Sequence, residues 1–254
     1  MSGRLAVVGL GPGDARQLTP EAVEAIAAAD ALYGYGPYLD RAPLRRGQAR
    51  YASDNREEGA RSAAALGHAA QGASVALVSG GDPGVFAMAA AVCGAIEAGP
   101  EAWRSLDLTI VPGITAMLAV AARIGAPLGH DFCVLSLSDN LKPWELIERR
   151  LDAAAEAGFV LALYNPVSRA RPWQLGAAFD RLRRRLPART PVVFGRAVGR
   201  PEEDVAVYTL GAADPGIADM ATLAIVGSAE TRLIARRDRP PLVYTPRAAC
   251  GASA

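Results

Sequence analysis

Three short apolar runs in the first half of the chain are each followed by a segment rich in glycine and proline. The runs are Arg4–Val8, Ser74–Val78 and Leu106–Val111, and the segments are GLGPGD (9–14), SGGDPG (79–84) and VPGITA (111–116). Helices are predicted after the three segments, from Pro20 to Ala29, from Val85 to Ala98 and up to about Ile124, and a further helical pattern spans Asp54–Gln71. Repeated strand–loop–helix order predicts a parallel sheet covered by helices. In such a sheet the loops after the strands gather at the carboxyl edge, where ligands bind. The pattern therefore predicts an α/β fold with a ligand site at that edge.

The second half of the chain predicts a further, mixed α/β unit. Strands are predicted at Phe132–Leu137, Phe159–Tyr164, Pro191–Phe194, Val205–Leu210 and Thr222–Val226, and helices at Pro143–Ala157 and Trp173–Leu186. The last strands are separated by short turns, which favour antiparallel pairing. The segment GAPLGHD (125–131) is the candidate hinge. We therefore predict two α/β domains, residues 1–125 and 126–247, and a tail at 248–254.

The first glycine segment does not match the common phosphate-binding loops. A P-loop requires GxxxxGK[ST], but Gly13 is followed by Asp14, and Lys142 is the only lysine in the chain. A dinucleotide fingerprint requires GxGxxG, and here the third glycine comes one residue early, while Asp14 brings negative charge to the position of the pyrophosphate. A carboxylate in this loop suits a ligand that is cationic or neutral there. An NAD-linked oxidoreductase and a nucleotide-binding module without chemistry remain the alternatives.

Composition narrows the choice of partners. The net charge of the 254 residues is +1, which argues for neither nucleic acid nor membrane, and no apolar run reaches the roughly 18 residues of a membrane span. The three cysteines (Cys93, Cys133 and Cys250) have no CxxC spacing, and only two histidines are present. This pattern predicts a cytoplasmic protein without a disulfide framework and without a bound metal.

The strong preference for arginine has two possible explanations. All but one of the 27 basic side chains are arginines. A GC-rich genome produces this bias. A cleft lined with arginines would also suit a ligand with several carboxylates, because the guanidinium fork binds them bidentately.

The three glycine segments, with the second read as SGGDPGVF, resemble the signature loops of the tetrapyrrole (precorrin/corrin) methyltransferases. The resemblance extends from Arg4 to about Gly227. It implies S-adenosylmethionine as cofactor, with S-adenosylhomocysteine as its product. It also implies the class III methyltransferase fold, in which two α/β domains bind the cofactor in the cleft between them, usually in a homodimer.

Three further stretches indicate a branch of this family. HDFCVLSLSDNLKPWELIERRL (130–151), YNPVSRARPWQL (164–175) and GYGPYLD (34–40) resemble the enzymes that methylate C17 of precorrin-3B in cobalamin biosynthesis. This resemblance implies methyl transfer coupled to ring contraction, with extrusion of C20 and formation of precorrin-4. One departure from the more general members is Asn165, where they have methionine. Another precorrin or uroporphyrinogen methyltransferase is the alternative within the family.

The resemblance also implies roles for particular residues in cofactor binding. It places Gly80, Gly81, Asp82 and Val85 against the methionine and ribose portions of the cofactor. Pro12 is expected to face the same cleft. The adenosine is expected to be lined by Thr115 and Ala116, and from the second domain by Tyr164, Asn165 and Ala197.

The charge and acid–base character of side chains indicate candidates for substrate binding and for proton transfer. Arg169 and Arg171 are candidates for the acetate and propionate groups of the substrate. Methyl transfer from a sulfonium needs little acid–base help, but ring contraction requires proton movement. His130 is a candidate because its ordinary pKa is near neutrality, and its alternative role is structural. Asp14 is a candidate base or substrate anchor, and its alternative role is that of a helix cap or Asx turn.

Overall fold

The computed structural model describes residues 3–54 and 56–248, so most of the predicted tail, including Cys250, lies outside the described residues. Contacts divide the chain into two compact units, of which the first ends at Ala116 and the second begins at Met117. The predicted limits, 1–125 and 126–247, place the helix at 116–124 in the first domain, so the two divisions differ by this helix. It packs within the second unit because the Met117 N–H donates to the Tyr164 hydroxyl (3.0 Å) and Val120 lies against Gly195.

The first unit is a parallel sheet of five strands. They are β1 (Arg4–Gly9), β2 (Ala31–Tyr35), β3 (Ala49–Ser53), β4 (Ser74–Ser79) and β5 (Asp107–Val111), arranged in the order β3-β2-β4-β1-β5. Every pairing in this sheet is parallel. The helices are α1 (Pro20–Ala28), α2 (Gly36–Leu39), α3 (Glu58–Ala70) and α4 (Met88–Ala98). Helix α1 begins where the sequence predicts, because the Thr19 hydroxyl accepts from the Ala22 N–H (3.1 Å) and Pro20 is its first residue.

The strands of this sheet are apolar on both faces because helices cover both. In β1, Ala6 and Val8 pack with α1, whereas Leu5 and Val7 pack with α3 and α4. All four side chains are buried. An unbroken apolar run is the pattern expected of a central parallel strand.

The second unit has a mixed sheet of five strands and a smaller sheet of three. It begins with most of α5 (Ala116–Ile124), then β6 (Gly125–Ala126), β7 (Phe132–Ser136), α6 (Trp144–Glu156), β8 (Val160–Tyr164), α7 (Gln174–Leu182), β9 (Pro191–Arg196), β10 (Asp204–Thr209), β11 (Thr222–Val226), β12 (Arg232–Arg236) and β13 (Arg239–Tyr244). The larger sheet has the order β10-β9-β11-β8-β7, in which β7 and β8 are parallel and the other pairs antiparallel. The antiparallel pairing expected near the end of the chain is therefore observed.

Several predicted boundaries and one predicted hinge differ from the structure. Helix α4 begins at Met88 rather than Val85, because the positive φ of Phe86 (+52°) is incompatible with a right-handed helix at that residue. Helix α3 begins at Glu58 rather than Asp54, and α7 ends at Leu182 rather than Leu186. The candidate hinge also contains strand β6, which pairs with β13, so its first two residues are held in a sheet. The strands β2, β3, β6, β12 and β13 were not predicted.

An ion-pair network joins α6 to α7. The Arg181 guanidinium contacts Glu148 (3.0 Å) and Asp152 (2.7 Å), and Arg185 contacts Asp152 (3.3 Å). Burial by itself would raise the pKa of Asp152, but the hydrogen bonds from Arg181 and Arg185 lower that pKa below its ordinary 3.8. A carboxyl group with a lowered pKa in the folded state stabilises the fold above its unfolded-state pKa.

We expect this contribution to be lost as the pH falls below about 4, through the lowered pKa of Asp152. Asp152→Asn should therefore cost about 1 kcal/mol at pH 7 and reduce the pH dependence of stability below pH 4. Urea unfolding of both proteins between pH 2 and pH 7 measures this difference. The same acid-induced loss of stability in both proteins would contradict the assignment.

Candidate active site

The three glycine segments lie side by side at the carboxyl edge of the first sheet. Strand β1 is the neighbour of both β4 and β5, so the loops that follow these three strands are adjacent. The Gly11 N–H donates to the Gly81 carbonyl (3.1 Å), and the Gly81 N–H donates to the Gly11 carbonyl (2.9 Å). The first two loops therefore form one short antiparallel bridge above the parallel strands.

Glycine is required at this edge because the loops pack backbone against backbone. A Cβ atom on Gly9 would lie 2.7 Å from the Gly113 nitrogen and 2.8 Å from the Gly81 carbonyl oxygen. A Cβ on Gly113 would collide with the same Gly81 carbonyl. These separations are shorter than any side chain tolerates, so the glycines permit close packing of the three loops.

Asp82 links the second loop to the third. Its Oδ2 accepts from the Gly113 N–H (3.0 Å), and its Oδ1 accepts from the Gly84 N–H (2.8 Å). Both carboxylate oxygens therefore bind backbone amides of the loops. The predicted contact of Asp82 with the methionine or ribose portion of a cofactor stays a prediction, and the structure adds a role in holding the loops together.

Tyr38 of the GYGPYLD stretch and Arg41, directly after that stretch, support the loops, and no role was predicted for either. The Tyr38 ring lies so close to Gly80 that a Cβ there would be 2.7 Å from its Cζ atom. The Arg41 Nη2 donates to the Gly11 carbonyl (2.8 Å), and its guanidinium lies 5.8 Å from the centre of the Tyr38 ring. The branch-specific stretch was the available signal, but its contact with the loops depends on the fold.

In the first loop, Pro12 is buried and Asp14 begins a short 3-10 turn at Ala15–Gln17. The Asp14 Oδ1 accepts from the Arg16 N–H (2.9 Å), and the carboxylate also pairs with the Arg16 guanidinium (3.0 Å to Nε). This is the cap geometry expected for the alternative role of Asp14. A role for Asp14 in proton transfer or substrate binding stays a prediction.

The third loop leads into α5 through Thr115 and Ala116. Thr115 is buried and its Cα atom would be 3.7 Å from a Cβ on Gly81, an ordinary contact distance. Ala116 is the first residue of α5, and Val85 on the second loop is partly exposed. The predicted cofactor residues of the first unit therefore all lie on the three adjacent loops.

In the second unit, Tyr164 ends β8 and Asn165 follows it. The Tyr164 hydroxyl accepts from the Met117 N–H (3.0 Å), so it also orients the beginning of α5. Asn165 Nδ2 donates to the Ser136 hydroxyl at the end of β7 (2.9 Å). Asn165 is exposed and has φ +51°, so its backbone turns sharply at the carboxyl end of the strand.

Ala197 follows β9 in a similarly unusual conformation, with φ +48°. Its N–H donates to the Ala221 carbonyl (3.0 Å), directly before β11. Glu203 holds the following turn, because it accepts from the Gly199 N–H (2.7 Å) and pairs with Arg123. The hydrogen bond from Arg123 lowers the pKa of Glu203, so the carboxylate is charged at neutral pH.

Residues with a left-handed backbone conformation (positive φ) occur in three of the segments predicted to bind the cofactor. Within residues 3–54 and 56–248, the non-glycine residues with positive φ are Phe86, Asn165, Ala197 and Asp238. Asn165 and Ala197 are themselves predicted contacts, and Phe86 follows Val85. Such conformations cost about 1 to 3 kcal/mol each and cluster at ligand-binding sites. The strain is independent support for these positions.

The two predicted substrate residues, Arg169 and Arg171, both lie on the loop after β8, but they differ in their contacts. Arg171 Nη1 pairs with Asp139 Oδ1 (2.6 Å), which also accepts from Gln174 Nε2 (2.9 Å). Arg169 is exposed, and no ion pair involves it in the part of the chain that the structure describes. Arg171 is thus tied to the loop after β7, whereas Arg169 is available to a ligand.

His130 lies before β7 and is partly exposed. Its Nδ1 accepts from the Asp131 N–H (2.6 Å), and the Asp131 carboxylate lies 3.7 Å from the same nitrogen. This bond to the following residue fits the alternative, structural role of His130. A catalytic role stays a prediction.

The fold and this edge of glycine loops define a family. Residues 4–214 match the family model of the tetrapyrrole (corrin/porphyrin) methylases, and the chain belongs to this family. It is 67% identical to the precorrin-3B C(17)-methyltransferase of Sinorhizobium sp, over the whole length of both proteins. It is 39% identical to the probable cobalt-factor III C(17)-methyltransferase of Salmonella typhimurium, covering 96% of this chain and 98% of that one.

The crystal structure of the methyltransferase CobJ matches with a TM-score of 0.90 at 48% identity, covering 96% of this chain and all of that one. The predicted family and its class of fold are therefore confirmed. The individual site residues, and the contribution of both units to one cofactor site, stay predictions.

Among the described residues, no helix has the length and apolar character needed to cross a bilayer. No group of three histidine, cysteine or acidic side chains in that same part of the chain is arranged to bind a metal.

Proposed function

We propose that this protein transfers a methyl group from S-adenosylmethionine to C17 of precorrin-3B and contracts the macrocycle to precorrin-4. The observation that carries the proposal is the 67% identity, over both full lengths, to a protein named for methylation of C17. The 48% identity to CobJ over nearly the whole chain supports the same activity class. The proposed role belongs to cobalamin biosynthesis.

The chemistry of the predicted cofactor residues fits a sulfonium. They offer glycine backbone, apolar surface, neutral polar groups and the carboxylate of Asp82, and no lysine or arginine is among them. A cationic methyl donor is therefore not repelled, and Asp14 contributes a carboxylate to the first loop. When bound, S-adenosylmethionine supplies an activated methyl group, so the task of the protein is to orient the reactants and exclude water. Thr115, Asn165 and Ala197 are proposed to hold the adenosine.

The predicted arginines give the substrate a means of recognition. Precorrin-3B carries acetate and propionate groups, and buried carboxylates require cationic or N–H partners. Arg169 is exposed on the loop after β8, so we propose it as the direct partner of one such group. Arg171 is engaged by Asp139, so its contribution combines substrate binding with positioning of this loop.

We expect Arg169→Ala to raise KM for precorrin-3B about tenfold, because one charge-assisted contact with the substrate is lost. Affinity for S-adenosylhomocysteine should stay within twofold of the wild type. Arg171→Ala should also raise KM, and it should lower Tm because Asp139 loses its ion-pair partner. KM is measured by steady-state kinetics, the affinity for S-adenosylhomocysteine by calorimetric titration and Tm by thermal unfolding. An unchanged KM in Arg169→Ala would remove this arginine from the substrate site.

Ring contraction is proposed to use His130 for proton movement at the C20 hydroxyl. In His130→Ala we expect methylation at C17 to persist and contraction to stall, so that a methylated product with the uncontracted ring accumulates. Mass spectrometry of the product distinguishes the two species. Normal contraction in this variant would leave His130 with a structural role at the start of β7.

The whole proposal is tested by incubating the purified protein with methyl-labelled S-adenosylmethionine and one of three tetrapyrroles. These are precorrin-3B, cobalt-factor III and uroporphyrinogen III, and the readouts are product mass and the position of the label. We expect label at C17 of a contracted product from precorrin-3B. The 39% identity to a cobalt-factor III methyltransferase makes that substrate the second candidate. Turnover of uroporphyrinogen III alone would place the protein in another branch of the family.

We further propose a homodimer that acts in the cytoplasm and binds neither nucleic acid nor membrane. The dimer rests on the family resemblance, and the location rests on that resemblance and on the cysteine pattern. Light scattering at micromolar concentration tests the dimer, and a monomer would contradict it.

A further inference from the structure

Arg61 carries a guanidinium that is almost completely buried. The residue is 5% exposed and lies on α3. Its Nε donates to the Ser53 hydroxyl (2.7 Å), its Nη2 donates to the Asp54 carbonyl, and its Nη1 lies 3.3 Å from Met88 Sδ. All three acceptors are electrically neutral groups.

The positive charge of Arg61 has no close counter-ion. In the described part of the chain, no carboxylate oxygen lies within 4.0 Å of its nitrogens, since no ion pair involves it. Burial lowers the pKa of Arg61, against the opposing effect of more distant groups such as Glu58 and Glu57. A buried charge without a partner costs free energy, and apolar replacements of buried ions are often neutral or stabilising. Stabilisation of the fold is therefore a poor reason for an arginine here.

The position of Arg61 relative to the second glycine loop gives a better reason. Ser53 is the last residue of β3, and Met88 is the first residue of α4, directly after that loop. The guanidinium therefore ties the carboxyl edge of the sheet to the end of the loop. The start of the loop is held by the bridge between Gly11 and Gly81, and its middle by Asp82.

The remaining part of the loop contains the strained residue. Phe86 has φ +52° and is 51% exposed. Val85 precedes it and is among the predicted cofactor contacts. A left-handed residue of this kind persists only where its surroundings hold the chain on both sides. Asp82 holds one side, and the Arg61–Met88 contact holds the other.

We propose that Arg61 is a positioning residue for cofactor binding, which holds the segment from Val85 to Met88 in its binding conformation. The inference rests on the proposed use of S-adenosylmethionine. The planar fork of arginine reaches three acceptors on two elements at once, whereas a lysine ammonium cannot span them in the same geometry.

The test compares Arg61→Met with the wild type in the full-length protein. Methionine has a similar length, carries no charge and is able to pack beside Met88. We expect S-adenosylhomocysteine to bind about tenfold more weakly by calorimetry, and KM for S-adenosylmethionine to rise by a similar factor. The kcat at saturating cofactor should change less than twofold. The Tm of the free protein should fall by no more than a few degrees, because no ion pair is broken.

Arg45→Met is the matched control. Arg45 belongs to the same unit, and its Nη2 donates to the Ala29 carbonyl before β2, at the opposite edge of the sheet. This variant should keep wild-type affinity for S-adenosylhomocysteine. Arg61→Lys is the second test variant, for the case that the methionine variant does not fold, because lysine retains the charge. It should bind S-adenosylhomocysteine at least threefold more weakly than the wild type.

Binding within twofold of the wild type in Arg61→Met, or in Arg61→Lys where the first variant is unfolded, would overturn the inference. An equal loss of affinity in Arg45→Met would do the same, because it would indicate a general effect of destabilisation. If the wild type itself binds no S-adenosylhomocysteine, the proposed function fails together with this inference. If the wild type binds it and both Arg61 variants match it, only the inference fails.

Discussion

Gly113→Ala is expected to abolish detectable binding of S-adenosylhomocysteine and to lower Tm by about 10 °C. The added methyl group would collide with the Gly81 carbonyl and press on Gly9, both of which are backbone in the adjoining loops. Overpacking of this kind costs about 3 kcal/mol, which corresponds to roughly that shift for a chain of this size. Because all three glycine loops meet at this point, relief of the clash must separate at least two of them. Thermal unfolding and calorimetric titration measure both effects.

Gly67→Ala is the matched control for this substitution. Gly67 lies inside α3, and a Cβ there would meet nothing within 4 Å. Alanine favours the helix over glycine by about 1 kcal/mol, so this variant should be slightly more stable and should bind as the wild type does. A Gly113→Ala protein that resembled Gly67→Ala in stability and affinity would disprove the close packing of the loops.

The second large effect is expected for Asp82→Ala. This variant leaves the Gly113 and Gly84 amides without their carboxylate acceptor. Each hydrogen bond to a charged group contributes about 1.5 to 3 kcal/mol, so a loss of about 3 kcal/mol in the free energy of unfolding is expected. Affinity for S-adenosylhomocysteine should fall about tenfold to a hundredfold, because the second and third loops lose their link. Urea unfolding and calorimetry are the measurements.

Asp30→Ala serves as the control for the loss of a carboxylate that caps a backbone amide. Asp30 Oδ2 accepts from the Ser74 N–H (3.1 Å) at the opposite edge of the same sheet. This variant should lose some stability and keep its affinity. Asp82→Asn should lie between the wild type and Asp82→Ala, since the amide oxygen replaces one of the two acceptors. Equal affinities in Asp82→Ala and Asp30→Ala would mean that Asp82 has no effect on the cofactor loops.

The sequence predicted the elements whose signals are local. The apolar runs of β1 and β4 are unbroken, and the Thr19–Pro20 pair marks the start of α1. The three glycine segments were expected at one edge of a parallel sheet, and the structure places them there. By contrast, β3 is half exposed along its length and has little apolar character, so its place at the edge of the sheet had no clear local signal.

The resemblance of these segments to the motifs of a known family extended the prediction from the fold to the family and to individual site residues. The family was identified from motifs of six to eight residues, because the backbone approach at these loops restricts which residues are tolerated. The glycines at positions 9 and 113 are examples of such a restriction. The roles of individual side chains were harder to predict from the sequence. Asp82 was expected to face a ligand, yet in the structure its carboxylate binds two backbone amides.

By itself, the sequence determined the order of strands and helices in most of the chain, the position of the glycine loops and the membership of the family. Only the tertiary structure decided which side chains support those loops. Asp82 reaches Gly113 across 31 residues, Arg61 reaches Met88 across 27, and Arg171 reaches Asp139 across 32. Periodicity and turn chemistry act over a few residues, whereas these contacts exist because the strand order brings distant loops to one edge. For the same reason the left-handed turns at Phe86 and Ala197 follow from packing, since no local signal favours that conformation in phenylalanine or alanine.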